Sequence, residues 1–185
     1  MFAAMRYVGL LRGINVGGNH LIKMVDLKAC FEAQALREVA TYIQSGNVIF
    51  TGTARAAEIA RRLEAALVKT FDCRTSVMLR TRKEMEAIVA GAPKGFGAQP
   101  EKYRYDVIFL NAPLTAAAAL DSVPTRPGVD QAAAGVGVLY FSRLISKASQ
   151  SRLSRVVSLP IYKSMTIRNW RTTTTLLQLM SASPR

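Results

Sequence analysis

The chain has 185 residues, of which half are hydrophobic, and a formal net charge of +13. This length and hydrophobic content are sufficient for a substantial core, which excludes a disordered protein. No apolar run approaches the roughly 18 residues that a membrane span requires. The cysteines, Cys30 and Cys73, fall far apart in helical patterns, which argues against a disulfide scaffold or a zinc site. His20 is the single histidine, which excludes a metal site built on several histidines.

The basic residues are unevenly distributed along the chain. Asp130 is the last acidic residue, and residues 131–185 carry eight basic side chains and no acidic one. Such a positive field attracts anions, whatever fold lies beneath it. A nucleic acid, a phosphorylated small molecule or no specific partner at all are each compatible with this charge.

The first half of the chain predicts a ferredoxin-like βαββαβ order. In chain order, the predicted elements are a buried strand at 7–11, a helix from Met24, a hairpin over 41–50, a helix capped by Thr53 and a strand at 75–79. The second of these helices is indicated by a stripe at i, i+4 spacing, formed by Ile59, Leu63, Leu67 and Phe71. Thr81 and Glu84 then predict a capping box for a short helix that ends at Gly91.

The second half predicts a related α+β arrangement, so we expect two tandem subdomains over residues 1–90 and 91–185. The glycine- and proline-rich stretch 91–103 is the predicted boundary between them. The elements predicted after it are a strand at 105–110, a helix near 113–120, a hairpin over 132–141, a helix that contains Leu153 and stops at Pro160, and a final helix capped by Thr166. Residues 161–165 are the candidate closing strand of an antiparallel sheet.

The glycine-rich loop that follows the first strand is the first candidate ligand site. It contains Gly-x-x-x-x-Gly, but Asn19 and His20 replace the Lys-Ser/Thr pair of a phosphate-binding loop. Glycine amides form anion-binding nests, and basic residues flank the loop on both sides. The candidate ligand-binding residues here are Arg12, Asn15, Gly17, Gly18 and Lys23. The alternative is a tight strand-to-helix connection that needs glycine only for its backbone angles.

Two further segments supply polar candidates. The hairpin turn contributes Gln44, Ser45 and Asn47, although such side chains often only satisfy local backbone groups. The predicted helix start contributes Thr166, Arg168 and Asn169, because a helix N-terminus attracts anions. Arg143 is included from the acid-free end of the chain.

Four stretches of the chain together carry a family resemblance: residues 7–18, Lys23–Met24, residues 41–50 and residues 166–170. They are similar to a bacterial family known as the domain of unknown function 1697. The resemblance extends over almost the whole chain and implies two α+β subdomains, of which the first is ferredoxin-like. It implies no activity and no catalytic residues.

These observations favour a non-catalytic anion-binding module whose partner is a nucleic acid or a phosphorylated ligand. The alternative is an enzyme that acts on a small phosphorylated or acidic substrate in a cleft between the halves. We expect a shared groove where the halves meet, lined by Arg12, Asn15, Gln44, Asn47 and Arg168, with Arg168 exposed. We expect no cofactor, no metal and no membrane partner, and we expect a cytoplasmic protein, because the N-terminus lacks a secretion signal and the thiols are unpaired.

Overall fold

The computed structural model describes residues 3–15 and 21–182. It divides the chain into two compact units: the chain up to residue 85 together with the end from residue 175, and residues 86–174. The division falls a few residues before the 90/91 boundary of the sequence analysis. The last part of the final helix groups with the first unit.

The first unit has a four-stranded antiparallel sheet in the order β2-β3-β1-β4. Its elements are β1 (Met5–Leu11), α1 (Met24–Glu32), β2 (Arg37–Tyr42), β3 (Asn47–Gly52), α2 (Ala56–Phe71), β4 (Val77–Thr81) and α3 (Arg82–Ala90). This order and topology confirm the ferredoxin-like prediction.

The core of the first unit lies between the sheet and its helices. Ile59, Leu63 and Leu67 form the buried stripe of α2, as the i, i+4 spacing predicts. They pack in one cluster with alternate residues of the strands, including Tyr7 and Phe50. Cys30 and Cys73 are free thiols in the same cluster, and burial raises the pKa of both.

The second unit repeats this topology with a sheet in the order β6-β7-β5-β8. Its elements are β5 (Tyr103–Leu110), α4 (Ala116–Ser122), β6 (Asp130–Gly135), β7 (Val138–Leu144), three 3₁₀ helices (Ile145–Gln150, Leu153–Ser158 and Pro160–Ser164), β8 (Met165–Asn169) and α5 (Trp170–Ser181). The three 3₁₀ helices stand where the first unit has α2. The chain is therefore two tandem α+β subdomains, as predicted.

Equivalent residues of the two units make equivalent contacts. The amide of Leu11 donates to the carbonyl oxygen of Gly46 at 2.9 Å, and the amide of Leu110 donates to that of Gly137 at 2.9 Å. Both glycines have a positive φ, near 70°, which places them in the left-handed region. The register of the closing strands corresponds in the same way, since Val8 faces Arg80 in one unit and Val107 faces Arg168 in the other.

Three local predictions were wrong. Thr166 does not cap a helix, because residues 166–169 belong to β8 and α5 begins at Trp170. Thr53 does not cap α2, whose N-cap is Arg55 and has no side-chain cap bond. Residues 153–158 form a 3₁₀ helix, and the closing strand starts at Met165. The capping box was predicted correctly, since the Thr81 amide donates to Glu84 Oε2 at 2.7 Å and the Glu84 amide donates to Thr81 Oγ1 at 3.2 Å.

Within the residues that the structure describes, no helix combines the length and the hydrophobicity needed to cross a membrane.

Candidate functional site

Asn15 links the first loop to the hairpin turn. Its side-chain Nδ2 donates to the carbonyl oxygens of Ile22, at 3.0 Å, and Gln44, at 2.9 Å, while its Oδ1 accepts from the amide of Ile22 at 2.7 Å. Asn15 itself adopts a left-handed backbone, with φ of 55°. The first loop and the turn therefore lie together, as predicted, and the Asn15 amide holds the two ends of the loop.

The turn residues also bond within their own segment. Asn47 is fully buried, and its Nδ2 donates to the Tyr42 carbonyl oxygen at 3.1 Å and to Ser45 Oγ at 2.9 Å. A buried amide with such partners stabilises the turn, which matches the local role considered for these residues.

The remaining first-unit candidates occupy the surface or lie outside the described residues. Arg12 is half-buried after β1, Lys23 is exposed directly before α1, and Gln44 is exposed in the turn. Gly17 and Gly18 lie outside the described residues, so the predicted glycine nest stays a prediction. The groove shared by both halves also stays a prediction.

Arg168 is an interior residue and not an exposed one. It is 7% exposed, and its Nη1 donates to Thr166 Oγ1 at 2.9 Å and to the Ile167 carbonyl oxygen at 2.8 Å. Burial lowers the pKa of Arg168 to about 10, with Tyr162 acting in the opposite sense. The expectation of an exposed Arg168 at a helix start is wrong, because strand pairing with β5 carries this residue inside.

The other second-unit candidates, Arg143 and Asn169, do come together, in a groove of about 850 Å³ at the start of β5. The rest of its lining is not among the candidate residues predicted from the sequence. The residues that line the groove are Gly97, Pro100, Tyr103, Arg104, Tyr105, Asp106, Arg143, Asn169, Trp170, Arg171 and Thr174. All of them belong to the second unit.

Strand register explains why charged and aromatic side chains meet here. Arg104 faces Arg143 of β7, and Asp106 faces Asn169 of β8. Because side chains alternate along a strand, Arg104 and Asp106 share one face of the sheet, and Tyr103 and Tyr105 share the other. The groove lies at the start of β5, where it contacts both the charged pair and the two tyrosines.

The groove has a positive charge. Three arginines, at positions 104, 143 and 171, stand against the carboxylate of Asp106 in its lining. Arg143 Nη2 lies 3.6 Å from Asp106 Oδ2, which is an ion pair at long distance. Two atoms of this pair, Asp106 Oδ2 and Arg143 Nε, are buried and have no hydrogen-bond partner among the described residues. Unsatisfied buried groups are uncommon and costly, so the pair is incomplete on its own.

The Asp106 carboxyl has a perturbed titration. Burial raises its pKa, and the nearby guanidinium groups of Arg143 and Arg104 partly oppose this rise. Asp106 is 8% exposed, so the cost of desolvating its carboxylate outweighs the attraction of the arginines. The charge of the groove therefore becomes more positive as pH falls through this pKa.

The N-terminus of α5 opens at the groove. Asn169 caps this helix, since its Oδ1 accepts from the Thr172 amide at 2.7 Å, and Trp170 and Arg171 form the first turn. The positive end of the helix dipole adds to the field of the three arginines. The predicted attraction of anions to a helix start thus applies to the lining of the groove, at a helix that begins three residues later than expected.

An aromatic cluster forms one wall of the groove. Phe96 makes edge-to-face contacts with Tyr105, at 4.9 Å between ring centroids, and with Trp170, at 5.2 Å. Gly97 permits this packing, because its φ is +86° and a Cβ atom there would lie 2.3 Å from Trp170 Nε1. Trp170 is therefore half-buried in the wall of the groove.

None of residues 103–106 was selected as a candidate from the sequence, because the predicted boundary loop runs to residue 103 and the strand predicted from residue 105 was interpreted only as a structural element. The signal was present as a strict alternation of aromatic and charged residues over 103–106, which is typical of a strand with two different faces. The start of the strand at Tyr103 brings all four residues into the sheet.

Comparisons with known proteins agree with this fold. The sequence profile of the family described as protein of unknown function (DUF1697) matches residues 5–140. A solved structure described as a conserved bacterial protein from Streptococcus pneumoniae is similar, with a TM-score of 0.81 and 26% sequence identity, over 97% of this chain and 100% of that one. A comparison with curated proteins found no match.

Proposed function

Since the chain belongs to the family of proteins of unknown function DUF1697, whose description assigns no activity, we propose from the groove itself that it binds a phosphorylated small molecule without catalysis. The ligand's phosphate lies against the arginines of the second unit. This is a narrower form of the anion-binding function that the sequence favours.

The observation that supports the proposal is the excess of guanidinium groups in the groove. Arg104 and Arg171 are exposed in its lining, where a ligand can contact them, and Arg143 is only loosely paired with Asp106, at 3.6 Å. A phosphate oxygen supplies an acceptor for such donors, and hydrogen bonds between guanidinium and phosphate are among the strong ones.

The positions of the other basic residues favour a small ligand over a nucleic acid. Nucleic-acid binding needs many exposed cations along an extended surface. In the acid-free segment, Arg168 is buried, and Arg152 donates from its Nη1 to the Thr125 carbonyl oxygen at 3.3 Å. The exposed charge of this segment is thereby reduced, while the groove keeps its arginines.

Ligand titration tests the proposal. Trp170 is the single tryptophan and lines the groove, so its fluorescence reports occupancy directly. Ribose 5-phosphate and inorganic pyrophosphate are the probes, with a single-stranded oligonucleotide for comparison. We expect both phosphate probes to bind with a gentle dependence on salt, because few charges are neutralised.

Matched double variants locate the binding site. Arg104→Ala with Arg171→Ala should lower phosphate affinity at least about tenfold, since a hydrogen bond to a charged group contributes ~1.5–3 kcal/mol. Arg155→Ala with Lys163→Ala removes the same charge from exposed residues of the same unit outside the groove, and should change affinity little. An equal loss in both double variants, a steep salt dependence, or no binding of either phosphate probe would contradict the proposal.

We further propose a cytoplasmic location, supported by the two separate free thiols. The enzyme alternative stays a prediction, since catalysis is not needed to account for the groove.

A further inference from the structure

A second cavity of about 370 Å³ adjoins the groove in the same unit. It lies between residues 93–99 and the strands β5, β6 and β7, and it shares Tyr103 and Tyr105 with the groove. Because both cavities contact these two tyrosines, they adjoin at the start of β5, where the tyrosines lie on one face of the sheet and Arg104 lies on the other. A volume of this order is within the range of small-molecule sites, ~300–1,000 Å³.

The walls of this cavity are aromatic and held in place. Phe96 packs edge-to-face on Tyr140, at 5.4 Å between centroids, and on Tyr105. Tyr140 is 2% exposed, and its hydroxyl donates to the Ile88 carbonyl oxygen at 2.6 Å. The backbone N–H of Gln99 donates to Tyr105 Oη at 3.3 Å, which connects the segment 93–99 to β5. Flat rings fixed in this way form a preorganised surface for another flat ring.

The polar groups of this cavity are mostly neutral, in contrast to those of the groove. Gln99, Gln131 and Ser142 contribute amide and hydroxyl groups to its lining, and Lys94 contributes its single charge. Amide and hydroxyl groups hydrogen-bond the edge of a heterocyclic base, which carries both donors and acceptors. The cavity thus provides stacking and neutral hydrogen bonding, and the adjoining groove provides guanidinium groups.

We propose that the ligand is a mononucleotide, with its base in the aromatic cavity and its phosphate in the arginine groove. This inference rests on the proposed function, because it uses the same phosphate position. The two cavities meet at Tyr103 and Tyr105, at the start of β5, so a ribose at these tyrosines connects the two parts of one ligand. A nucleotide is the simplest ligand class that combines a flat polar ring with a phosphate.

The test compares a nucleoside monophosphate with its two fragments, using Trp170 fluorescence and calorimetry. The probes are adenosine monophosphate and uridine monophosphate, ribose 5-phosphate, and the nucleosides adenosine and uridine. We expect at least one nucleotide to bind ten or more times tighter than ribose 5-phosphate, because stacking of a base on aromatic side chains is a substantial contribution to affinity. The nucleoside lacking phosphate should bind more weakly than its nucleotide.

Two variants localise the base. Tyr103→Leu should reduce the preference for the nucleotide over ribose 5-phosphate to less than about threefold, since it removes a stacking surface. Gln131→Leu is at an exposed position of β6, where it does not endanger the fold, and should lower nucleotide affinity severalfold while leaving ribose 5-phosphate unchanged. The thermal midpoint of each variant is measured to verify that it is folded.

The possible outcomes separate this inference from the proposed function. Equal affinity for nucleotides and ribose 5-phosphate, unaffected by Gln131→Leu, overturns the nucleotide assignment and leaves the phosphate groove standing. Failure of every phosphate-bearing probe to bind overturns both. Nucleosides that bind as tightly as nucleotides support the ring cavity and contradict the phosphate role of the groove.

Discussion

The two units have the same topology, but they differ at one end of the sheet. In the first unit, Met5 faces Gly52 and Tyr7 faces Phe50; in the second, Arg104 faces Arg143 and Asp106 faces Phe141, at the equivalent register. The positions that carry Met, Tyr and Gly in one unit therefore carry Arg, Asp and Arg in the other. The same strand register thus places uncharged residues at these positions in the first unit and charged residues in the second.

The cause of this difference is the element that covers the sheet. Tyr7 stacks on Phe50 at 5.7 Å in the first unit, and a Cβ atom at Gly52 would lie 2.9 Å from Ile59 Cδ1 of α2. In the second unit three short 3₁₀ helices replace α2, and Arg143 occupies the position of Gly52. The comparison of the two units therefore indicates that replacement of α2 by 3₁₀ helices leaves room for charged side chains. The strand order is the same in both units.

The largest expected change in the free energy of unfolding is at the equivalent arginines Arg168 and Arg80. Burial lowers the pKa of both, and each donates from Nη1 to the preceding carbonyl oxygen at 2.8 Å. Arg168 is the more buried of the two and also donates to Thr166. Arg168→Ala should lower the free energy of unfolding by about 3 kcal/mol and Arg80→Ala by about 1–2 kcal/mol, because each leaves buried acceptors unsatisfied.

Urea denaturation measures both losses, with Arg155→Ala as the control. Arg155 is exposed, so its replacement should cost less than about 0.5 kcal/mol. A loss for Arg168→Ala as small as that of the control would mean that Arg168 is a surface residue, as the sequence alone suggested.

The next effect tests the covering helix at the equivalent positions Gly52 and Arg143. Gly52→Ala forces a methyl group against Ile59, so we expect a loss of about 1–3 kcal/mol from overpacking. At position 143 the arginine is instead truncated to alanine, in an Asp106→Asn background, so that no unpaired carboxylate remains. Truncation there should cost less than about 1 kcal/mol, since Arg143 is half-exposed.

Equilibrium unfolding of the four proteins decides the comparison. Similar losses at the two positions would show that the 3₁₀ helices cover the second sheet as tightly as α2 covers the first. The charged groove would then lose its structural explanation.

The order of elements was predictable from the sequence because its signals are local. The stripe of Ile59, Leu63 and Leu67 has helical period, and the hairpin turns carry glycines with positive φ. The Thr81–Glu84 box is equally local. Each of these signals lies within a few residues, so no knowledge of the tertiary fold was needed.

The groove was not predictable because it depends on pairing over long distances. Residues 103–106 and 169–171 meet only through the register of β5 with β8. The run Thr166–Asn169 has a residue suited to capping a helix at its start, but pairing with β5 holds it as a strand and buries Arg168. Local preference gave way to tertiary contacts here, which is common for short segments.

A third and smaller effect is expected on phosphate affinity, from the carboxyl of Asp106. The equivalent position in the first unit is Tyr7, which carries no carboxyl. Burial raises the pKa of Asp106, so its carboxyl keeps a proton to higher pH than a free aspartate does. Above this pKa the Asp106 carboxylate repels phosphate and pairs with Arg143. As the pH falls through this pKa the carboxylate is protonated, the repulsion is lost, and the affinity for phosphate rises. Asp106→Asn should increase affinity about tenfold at neutral pH, equivalent to ~1.4 kcal/mol.

The measured quantity is the ratio of ribose 5-phosphate affinities between Asp106→Asn and the unaltered protein. The ratio cancels the titration of the phosphate itself, whose second pKa is near 6. It should fall toward one as pH decreases from neutral through the raised pKa. The same pKa shift makes the folded state favour the protonated carboxyl, so unfolding free energy should also fall as pH rises through this window in the unaltered protein and not in the variant. A ratio independent of pH would remove Asp106 from the groove's charge balance.

The smallest expected effects are at the equivalent helix caps Thr81 and Asn169, where the role in capping can be distinguished from a role in phosphate binding. Each accepts a hydrogen bond from the amide three residues later, at the start of the helix that follows the closing strand. Thr81→Ala and Asn169→Ala should each lower the free energy of unfolding by about 1 kcal/mol. Of these two caps, Asn169 alone lines the groove, so Thr81→Ala should leave phosphate affinity unchanged.

Asn169→Asp isolates the binding role when it is made in an Asp106→Asn background and compared with Asp106→Asn alone, because no second carboxylate then faces position 169. Aspartate is an equally good cap, and its charge is favourable at a helix N-terminus. Stability should therefore be retained, while the added negative charge beside Arg171 lowers phosphate affinity about threefold, a typical size for one partly screened charge. Calorimetric titration with ribose 5-phosphate and urea denaturation are performed on the same preparation. Unchanged affinity with retained stability would show that the phosphate lies away from the start of α5. The helix dipole would then make no contribution to phosphate binding, and the proposed site would consist of the three arginines alone.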